Sequence, residues 1–270
     1  MKSLRVNDHD MAYIEVGSGR PLVCVHGSLN DFRCWSAMLG PLSSRHRVIA
    51  LSLRHFFPEQ WDGRGGKFTI AQHVADVVGF IEHLQAVPVY LIGHSRGGHI
   101  AFRVAQQRPE LVQKLILAEP GGELDASFGE GANEDTSSAR QRTLVAAEKI
   151  EAGDIEGGLK TFFEGIYGEG TWVQAPEAIK QERRDNARTL LGQLNEQRQP
   201  YRRAEAAAIS VPTLFILGGM TQGRLAAILR ALAGAIPRSK TVVVPGAGHA
   251  MIRQAPVATS KAVIEFLAEQ

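Results

Sequence analysis

Short runs of apolar residues recur along the chain and alternate with longer amphipathic stretches. Many positions in these runs are β-branched, and each run ends at a small or polar residue. Because apolar residues occupy successive positions, both faces of a run are suited to burial, which is typical of parallel strands covered on both sides. We therefore predict strands over 21–25, 47–51, 89–92, 114–118, 213–217 and 241–244.

Helical patterns lie between these strands. Apolar residues at helical spacing follow Thr69, a good N-cap residue, and predict a helix that continues to about Gln85. Further helices are predicted over 97–107, 222–235 and 256–268. Strands that alternate with helices predict an α/β fold with a doubly wound, mostly parallel sheet.

The alternation stops in the middle of the chain. A loop rich in glycine and acidic residues over 121–136 precedes three helical segments, 138–152, 154–167 and 176–197. Residues 119–205 contain 17 Asp and Glu but 11 Lys and Arg, a net charge of −6, whereas the whole chain has +2. We expect a helical lid at 120–205, inserted into a core formed by 1–119 and 206–270.

Composition excludes several classes of protein. The 270 residues are 44% hydrophobic and 21% charged, which is ordinary for a globular chain. Two cysteines rule out a disulfide scaffold and favour a reducing compartment. No signal peptide or membrane-spanning stretch is evident, and no basic run points to nucleic acid. We expect a cytoplasmic protein without membrane or nucleic-acid partners, and the sequence leaves homo-oligomers open.

A candidate nucleophile lies between the strand at 89–92 and the helix at 97–107. Gly93-His94-Ser95-Arg96-Gly97 matches the pattern G-x-S-x-G in the strand–turn–helix context that the motif requires. Glycine is needed on both sides because the turn is too sharp for a Cβ atom. The motif assigns Ser95 as nucleophile and the backbone N–H of Arg96 as one oxyanion donor.

Two further motifs follow in a consistent order. His26-Gly27 ends an early strand, and Gly246-Ala247-Gly248-His249 follows the last one. With the Ser95 turn, they make the chain resemble the α/β-hydrolase superfamily over nearly its whole length. The resemblance implies that His249 is the base that takes the proton of Ser95. It also implies that the backbone N–H of Ser28 is the second oxyanion donor.

The sequence departs from most of these relatives at the acid of the triad. They carry a carboxylate after the strand that ends here at Leu217, but no Asp or Glu occurs between Glu205 and Glu265. A second position is known in the superfamily, at the end of the strand after the nucleophile helix, as in haloalkane dehalogenases with a glutamate there. Here that residue is Glu119, with Asp125, Glu123 or a Ser–His dyad without an acid as alternatives.

Other side chains have two interpretations each. His94 and the aromatic residues Phe56, Phe57 and Trp61 either line an acyl pocket or pack elsewhere. The Arg96 side chain either covers an acidic leaving group or lies on the surface. Neither metal-ligand spacing nor a phosphate-binding loop occurs, so no metal or cofactor is expected. The aromatic residues of the lid are expected to form its own core: Phe162, Phe163, Tyr167 and Trp172.

Together these features predict a serine hydrolase that cleaves a small carboxylic ester, lactone or thioester through an acyl-enzyme on Ser95. One alternative uses the same residues for C–C bond hydrolysis or cofactor-free oxygenation. Another is a ligand-binding protein without catalysis on the same scaffold, since a fold does not fix a function.

Overall fold

A computed structural model describes residues 1–129 and 136–269. Within them, eight strands form one sheet in the order β1-β2-β4-β3-β5-β6-β7-β8. The strands are β1 (Lys2–Val6), β2 (His9–Val16), β3 (Pro21–Val25), β4 (Arg47–Leu51), β5 (Val89–His94), β6 (Val112–Ala118), β7 (Thr213–Gly218) and β8 (Ser239–Val244). From β4 to β8 across the sheet all neighbours are parallel, which confirms the predicted α/β fold.

Two strands were not predicted. β1 and β2 pair in antiparallel fashion, and β2 pairs antiparallel with β4. Neither strand contains a continuous apolar run, because much of their surface is exposed and polar residues interrupt them. Both lie at one end of the sheet, away from the central strands β3, β5 and β6.

The core helices cover both faces of the sheet. In chain order the helices are α1 (Ser36–Ser43), α2 (Ile70–His83), α3 (Arg96–Gln107), α4 (Thr136–Glu151), α5 (Ile155–Tyr167), α6 (Thr171–Gln174), α7 (Glu177–Asp185), α8 (Thr189–Leu194), α9 (Arg203–Ala207), α10 (Gly223–Ala235), α11 (Met251–Gln254) and α12 (Pro256–Ala268). Helices α2, α3 and α10 pack on one face, and α1 and α12 on the other. As predicted, the Thr69 hydroxyl caps α2 and accepts the Gln72 N–H at 3.0 Å.

Strand β3 illustrates why these runs are apolar throughout. Leu22 and Cys24 belong to the cluster under α1 and α12, whereas Val23 and Val25 belong to the cluster under α2 and α3. All four side chains are inaccessible to solvent. Successive strand residues point to opposite faces, so a strand between two helix layers needs apolar side chains at every position.

Helices α4 to α9 lie in the chain between β6 and β7, within the segment predicted as a lid. A separate apolar cluster joins Ala146, Leu159, Trp172 and Leu190 from this segment to Leu29 of the loop after β3. The division at 120–205 itself remains a prediction, and residue 205 falls inside α9 rather than between elements. Part of the predicted acidic loop, residues 130–135, lies outside the described residues.

The long helix predicted over 176–197 is two helices, α7 and α8, separated at Asn186. The Asn186 side chain donates to Asp31 Oδ2 at 2.7 Å and accepts the Phe57 N–H at 2.8 Å. Since both partners are distant in sequence, helical periodicity gave no sign of the break. None of the helices in the described part of the chain combines the length and apolar character needed to span a bilayer.

Candidate active site

Ser95 occupies a sharp turn between β5 and α3. Its backbone has φ 54° and ψ −118°, a conformation that is rare for a residue with a side chain and marks stored strain. A Cβ atom on Gly93 would overlap the carbonyl of Gly97, and one on Gly97 would overlap the carbonyl of Val25. The two glycines are therefore required for the turn to close, as the motif predicts.

The turn is tied to the end of β6. The Ser95 N–H donates to the Ala118 carbonyl at 3.1 Å, and the Ser95 carbonyl accepts the Gly121 N–H at 2.8 Å. Consequently the serine and the residues around Glu119 are held in one rigid backbone arrangement.

Glu119 contacts His249 at the carboxyl end of the sheet. Glu119 Oε2 lies 2.6 Å from His249 Nδ1, and Glu119 Oε1 accepts the Gly218 N–H at 2.7 Å. The Glu119 side chain is wholly inaccessible to solvent, and that of His249 is almost so. An ionised carboxylate only accepts hydrogen bonds, so His249 donates through Nδ1–H and its Nε2 keeps a free lone pair. This is the arrangement that a general base requires.

The backbone of Glu119 is itself unusual. Its φ of 42° lies in the left-handed region, where glutamate is uncommon. The Glu119 N–H donates to the Ile216 carbonyl of β7 at 3.2 Å. The residue therefore continues the β6–β7 pairing while the chain turns. Two donors to one buried carboxylate offset the cost of removing it from water.

The alternative acids lie elsewhere. Asp125 caps a short 3-10 helix, Ala126–Phe128, by accepting the Ser127 N–H at 3.0 Å. Glu123 lines the cavity described below and makes no contact with His249 in the structure. Of the three candidates, Glu119 is the one in contact with His249.

The loop after β3 passes directly beside the serine. A Cβ atom on Gly27 would lie 3.0 Å from Ser95 Cβ, so glycine permits this approach. Within the described residues, the backbone N–H groups of Ser28 and Arg96 have no hydrogen-bond partner. The Asn30 side chain donates to the Ser28 carbonyl at 3.1 Å and fixes the loop. Two N–H groups are thus available near Ser95.

His94 supports the segment that carries His249. Its Nε2–H donates to the His249 carbonyl at 2.7 Å, and the two rings lie 4.7 Å apart between centroids. Burial, reinforced by the neighbouring His249, holds the pKa of His94 well below its ordinary value, so the ring is neutral. His94 also lies in the cavity wall, which is where the sequence suggested it.

A cavity of about 480 Å³ opens above Ser95 and His249. Its walls include Phe162, Phe163 and Tyr167, which were expected to pack only within the lid. The two phenylalanines do pack against the lid cluster, but their stripe also faces the cavity. Helical spacing identified the apolar face of α5. It did not indicate that this face contacts both the lid cluster and the cavity.

Three residues suggested as pocket lining lie away from this cavity. Phe56 is buried in the sheet core, with its ring 4.7 Å from that of His26. Phe57 and Trp61 border a separate surface groove, and Trp61 stacks on His55 at 4.4 Å. The loop after β4 is held by Asp76 of α2, which binds Arg54, and by Asn186 after α7, which accepts the Phe57 N–H, and both contacts lie outside the cavity.

The Arg96 side chain does not lie on the surface, which was one of the two positions considered from sequence. It is buried, and it forms a paired contact with Glu196, with Nη1–Oε2 at 2.6 Å and Nη2–Oε1 at 2.7 Å. Burial lowers the pKa of Arg96, although the charge of Glu196 opposes this effect. The pair links the residue after the nucleophile to the chain that follows α8.

Helix α7 links two parts of the site. Glu182 forms two contacts of 2.6 Å with Arg253, which lies four residues after His249. The next residue, Arg183, donates to the Leu29 carbonyl at 2.8 Å and to Asn30. One short stretch of the lid segment therefore braces both the histidine segment and the loop of Ser28.

No group of three His, Cys, Asp or Glu side chains within residues 1–129 and 136–269 converges to hold a metal ion. A family model described as the alpha/beta hydrolase fold matches residues 20–256. The chain belongs to the α/β-hydrolase family.

Individual relatives are more distant. An uncharacterized hydrolase, YugF, from Bacillus subtilis is 36% identical over 106 residues, 39% of this chain and 38% of that protein. The matched stretch is thus well under half of the length of YugF. A putative 2-succinyl-6-hydroxy-2,4-cyclohexadiene-1-carboxylate synthase from the same organism is 25% identical over 264 residues, 91% of this chain and 89% of that one.

Among solved structures, a thermophilic esterase from Thermogutta terrifontis, with malate bound, is 26% identical and has a TM-score of 0.76. The alignment covers 96% of this α/β-hydrolase and 93% of the esterase.

Proposed function

We propose that this α/β-hydrolase is a serine hydrolase that cleaves a small carboxylic ester, lactone or thioester through an acyl-enzyme on Ser95. The observation that carries the proposal is the buried Glu119–His249 contact beside the strained Ser95 turn. A buried carboxylate and a strained backbone both cost free energy, and such costs concentrate at functional sites. The likeness to an esterase at 26% identity supports ester chemistry.

In the first half of the reaction, His249 Nε2 accepts the hydroxyl proton of Ser95 while Ser95 Oγ attacks the carbonyl carbon. The resulting oxyanion is stabilised by the N–H groups of Ser28 and Arg96. His249 then returns the proton to the leaving oxygen or sulfur, and the bond from that atom to the carbonyl carbon breaks. Glu119 holds His249 in the tautomer that this proton transfer requires and stabilises its charged form.

In the second half, water replaces the leaving group. His249 Nε2 takes a proton from the water, and the water oxygen attacks the acyl carbon of the ester on Ser95. The same N–H groups stabilise the second oxyanion. Collapse of this intermediate transfers the proton back to Ser95 Oγ and releases the carboxylic acid.

Labelling with a fluorophosphonate and peptide mass spectrometry tests the proposal without a chosen substrate. We expect one adduct per chain on Ser95, none in the Ser95→Ala variant and strongly slowed labelling in His249→Ala. A matched control is Ser28→Ala, which keeps the backbone N–H and should label at nearly the normal rate. Absence of an adduct on folded protein would contradict the proposal and favour ligand binding without catalysis.

A further inference from the structure

Arginine side chains outnumber glutamate side chains in the cavity wall. Glu196 is bonded by both terminal nitrogens of Arg96, and Arg198 Nη2 lies 3.2 Å from Glu196 Oε2. The cluster therefore contains two guanidinium groups and one carboxylate. Burial raises the pKa of Glu196, but the charges of Arg96 and Arg198 outweigh it and hold the pKa below its ordinary value. Glu196 is thus ionised, and the cluster carries one surplus positive charge.

A second cluster of arginines around a carboxyl group centres on Glu182. Arg253 forms a two-fold contact with Glu182, and Arg183 Nη1 lies 3.7 Å from Glu182 Oε1. Two guanidinium groups thus lie beside the single carboxyl group of Glu182, whose pKa is raised by burial although the two arginines oppose this effect. Arg183 and Arg198 both lie in the cavity wall. Each of the two clusters therefore contributes an arginine to the cavity that contains Ser95.

A surplus charge in a partly closed cavity is costly unless an anion accompanies it. Arg183 already donates to the Leu29 carbonyl and to Asn30, so its donors are largely used within the protein. Arg198 makes one contact of 3.2 Å with Glu196, and both oxygens of that carboxylate are also bonded to Arg96. A guanidinium has five N–H donors, so Arg198 retains the capacity for a paired contact with a second carboxylate.

We infer that the acyl substrate carries a carboxylate of its own, which binds Arg198 while the scissile carbonyl lies at Ser95. The inference rests on the proposed function, because it names the substrate class of that reaction. Connectivity supports the placement: Arg96 supplies an N–H beside Ser95, its side chain reaches Glu196, and Glu196 contacts Arg198. The substrate's carboxylate would extend this series of ion pairs by binding Arg198.

The experiment uses two ligands that differ by one charge, monomethyl glutarate and dimethyl glutarate. Their affinities are measured by isothermal titration with the Ser95→Ala protein, so binding is read without turnover. Charge-assisted contacts of this kind predict about 30-fold tighter binding of the monoanion. Adding Arg198→Gln should abolish the difference, whereas Arg198→Lys should keep part of it. Arg202→Gln, an exposed arginine of the same segment, is the matched control and should keep all of it.

Equal affinity for the two ligands, no binding of the monoanion at millimolar concentration, or a preference that survives Arg198→Gln would each overturn the inference. Turnover of the same two esters and fluorophosphonate labelling are measured separately on the protein with Ser95 intact. A labelled serine without a charge preference refutes the carboxylate site and keeps the proposed function. A charge preference without labelling refutes the serine chemistry and keeps the carboxylate site.

Discussion

Replacement of Glu119 by glutamine tests the assignment of the orienting acid, because the structure fixes how the new amide must lie. The Gly218 N–H donates to Glu119 Oε1 at 2.7 Å and needs an acceptor. In Glu119→Gln the amide oxygen must therefore face Gly218, and the amide NH₂ faces His249 Nδ1. His249 then accepts through Nδ1 and carries its proton on Nε2, so it has no lone pair for the Ser95 proton.

The expected loss is large in catalysis and small in stability. In other Ser–His–acid hydrolases, forcing the wrong tautomer costs about 10⁴-fold in kcat, or about 5.4 kcal/mol at 1.36 kcal/mol per tenfold. Both hydrogen bonds of the side chain remain, and the side chain keeps its shape. The free energy of unfolding should consequently change by less than about 1 kcal/mol.

The assay compares kcat for a 4-nitrophenyl ester with the free energy of unfolding in urea. Glu123→Gln and Asp125→Asn are the matched controls, since each neutralises one alternative acid, and both should stay within a few-fold of the unmodified protein. A loss below tenfold in Glu119→Gln would refute the role of Glu119. An equal loss in Glu123→Gln would show that the effect arises from the charge of the cavity and not from the tautomer of His249.

Three further changes test the packing around the site. Glu182→Gln leaves the partly buried Arg253 without its counter-ion, so the free energy of unfolding should drop by about 3 kcal/mol in urea denaturation, and an unchanged midpoint would contradict the bracing role. Gly97→Ala should lower the Tm or prevent folding because its Cβ overlaps the Val25 carbonyl, and a normal Tm would show that the turn can relax. Lowered histidine pKa values should make the fold acid-sensitive: unfolded histidine takes a proton below about pH 6.5, so stability is lost as the pH falls from there towards the folded pKa. Burial lowers the pKa of His26 to about 4, and this residue alone should reduce the free energy of unfolding by about 2 kcal/mol at pH 5. His73, His94 and His99, whose pKa values burial also lowers, should add to the reduction. Equal urea midpoints at pH 7 and pH 5 would refute this reasoning.

Much of the fold could be read from local pattern. The runs that became β3 to β7 are apolar at nearly every position because helices cover both of their faces. The apolar run in β8 was also recognised as a strand, although most of its residues are exposed. The exposed pair β1 and β2 lacks that signal. The break at Asn186 was invisible for a different reason, since its cause lies in Asp31 and Phe57, more than a hundred residues away.

The candidate site likewise contains residues that a local sequence pattern identifies and residues that no such pattern identifies. Ser95 and its glycines form a local motif, and Glu119 could be suggested because a carboxylate directly after a buried strand is conspicuous. No local sequence pattern predicted the Arg96–Glu196 and Glu182–Arg253 pairs. Each joins residues some 70 to 100 positions apart, and charged residues on a helical segment are usually exposed to solvent. Only the three-dimensional path of the chain brings these partners together.

The location of Glu119 directly after β6 also affects how such a protein can diversify. The loop from β7 to α10, which includes Gly219 and Gln222, holds none of the three side chains assigned to proton transfer, yet Gln222 lies in the cavity wall. Replacing the Gln222 side chain can change the shape of the cavity without removing a partner of Glu119 or His249. In relatives with the acid in this loop, one stretch of chain must serve both purposes. Under the proposed function, the loop from β7 to α10 can vary with the substrate because Glu119, outside this loop, orients His249.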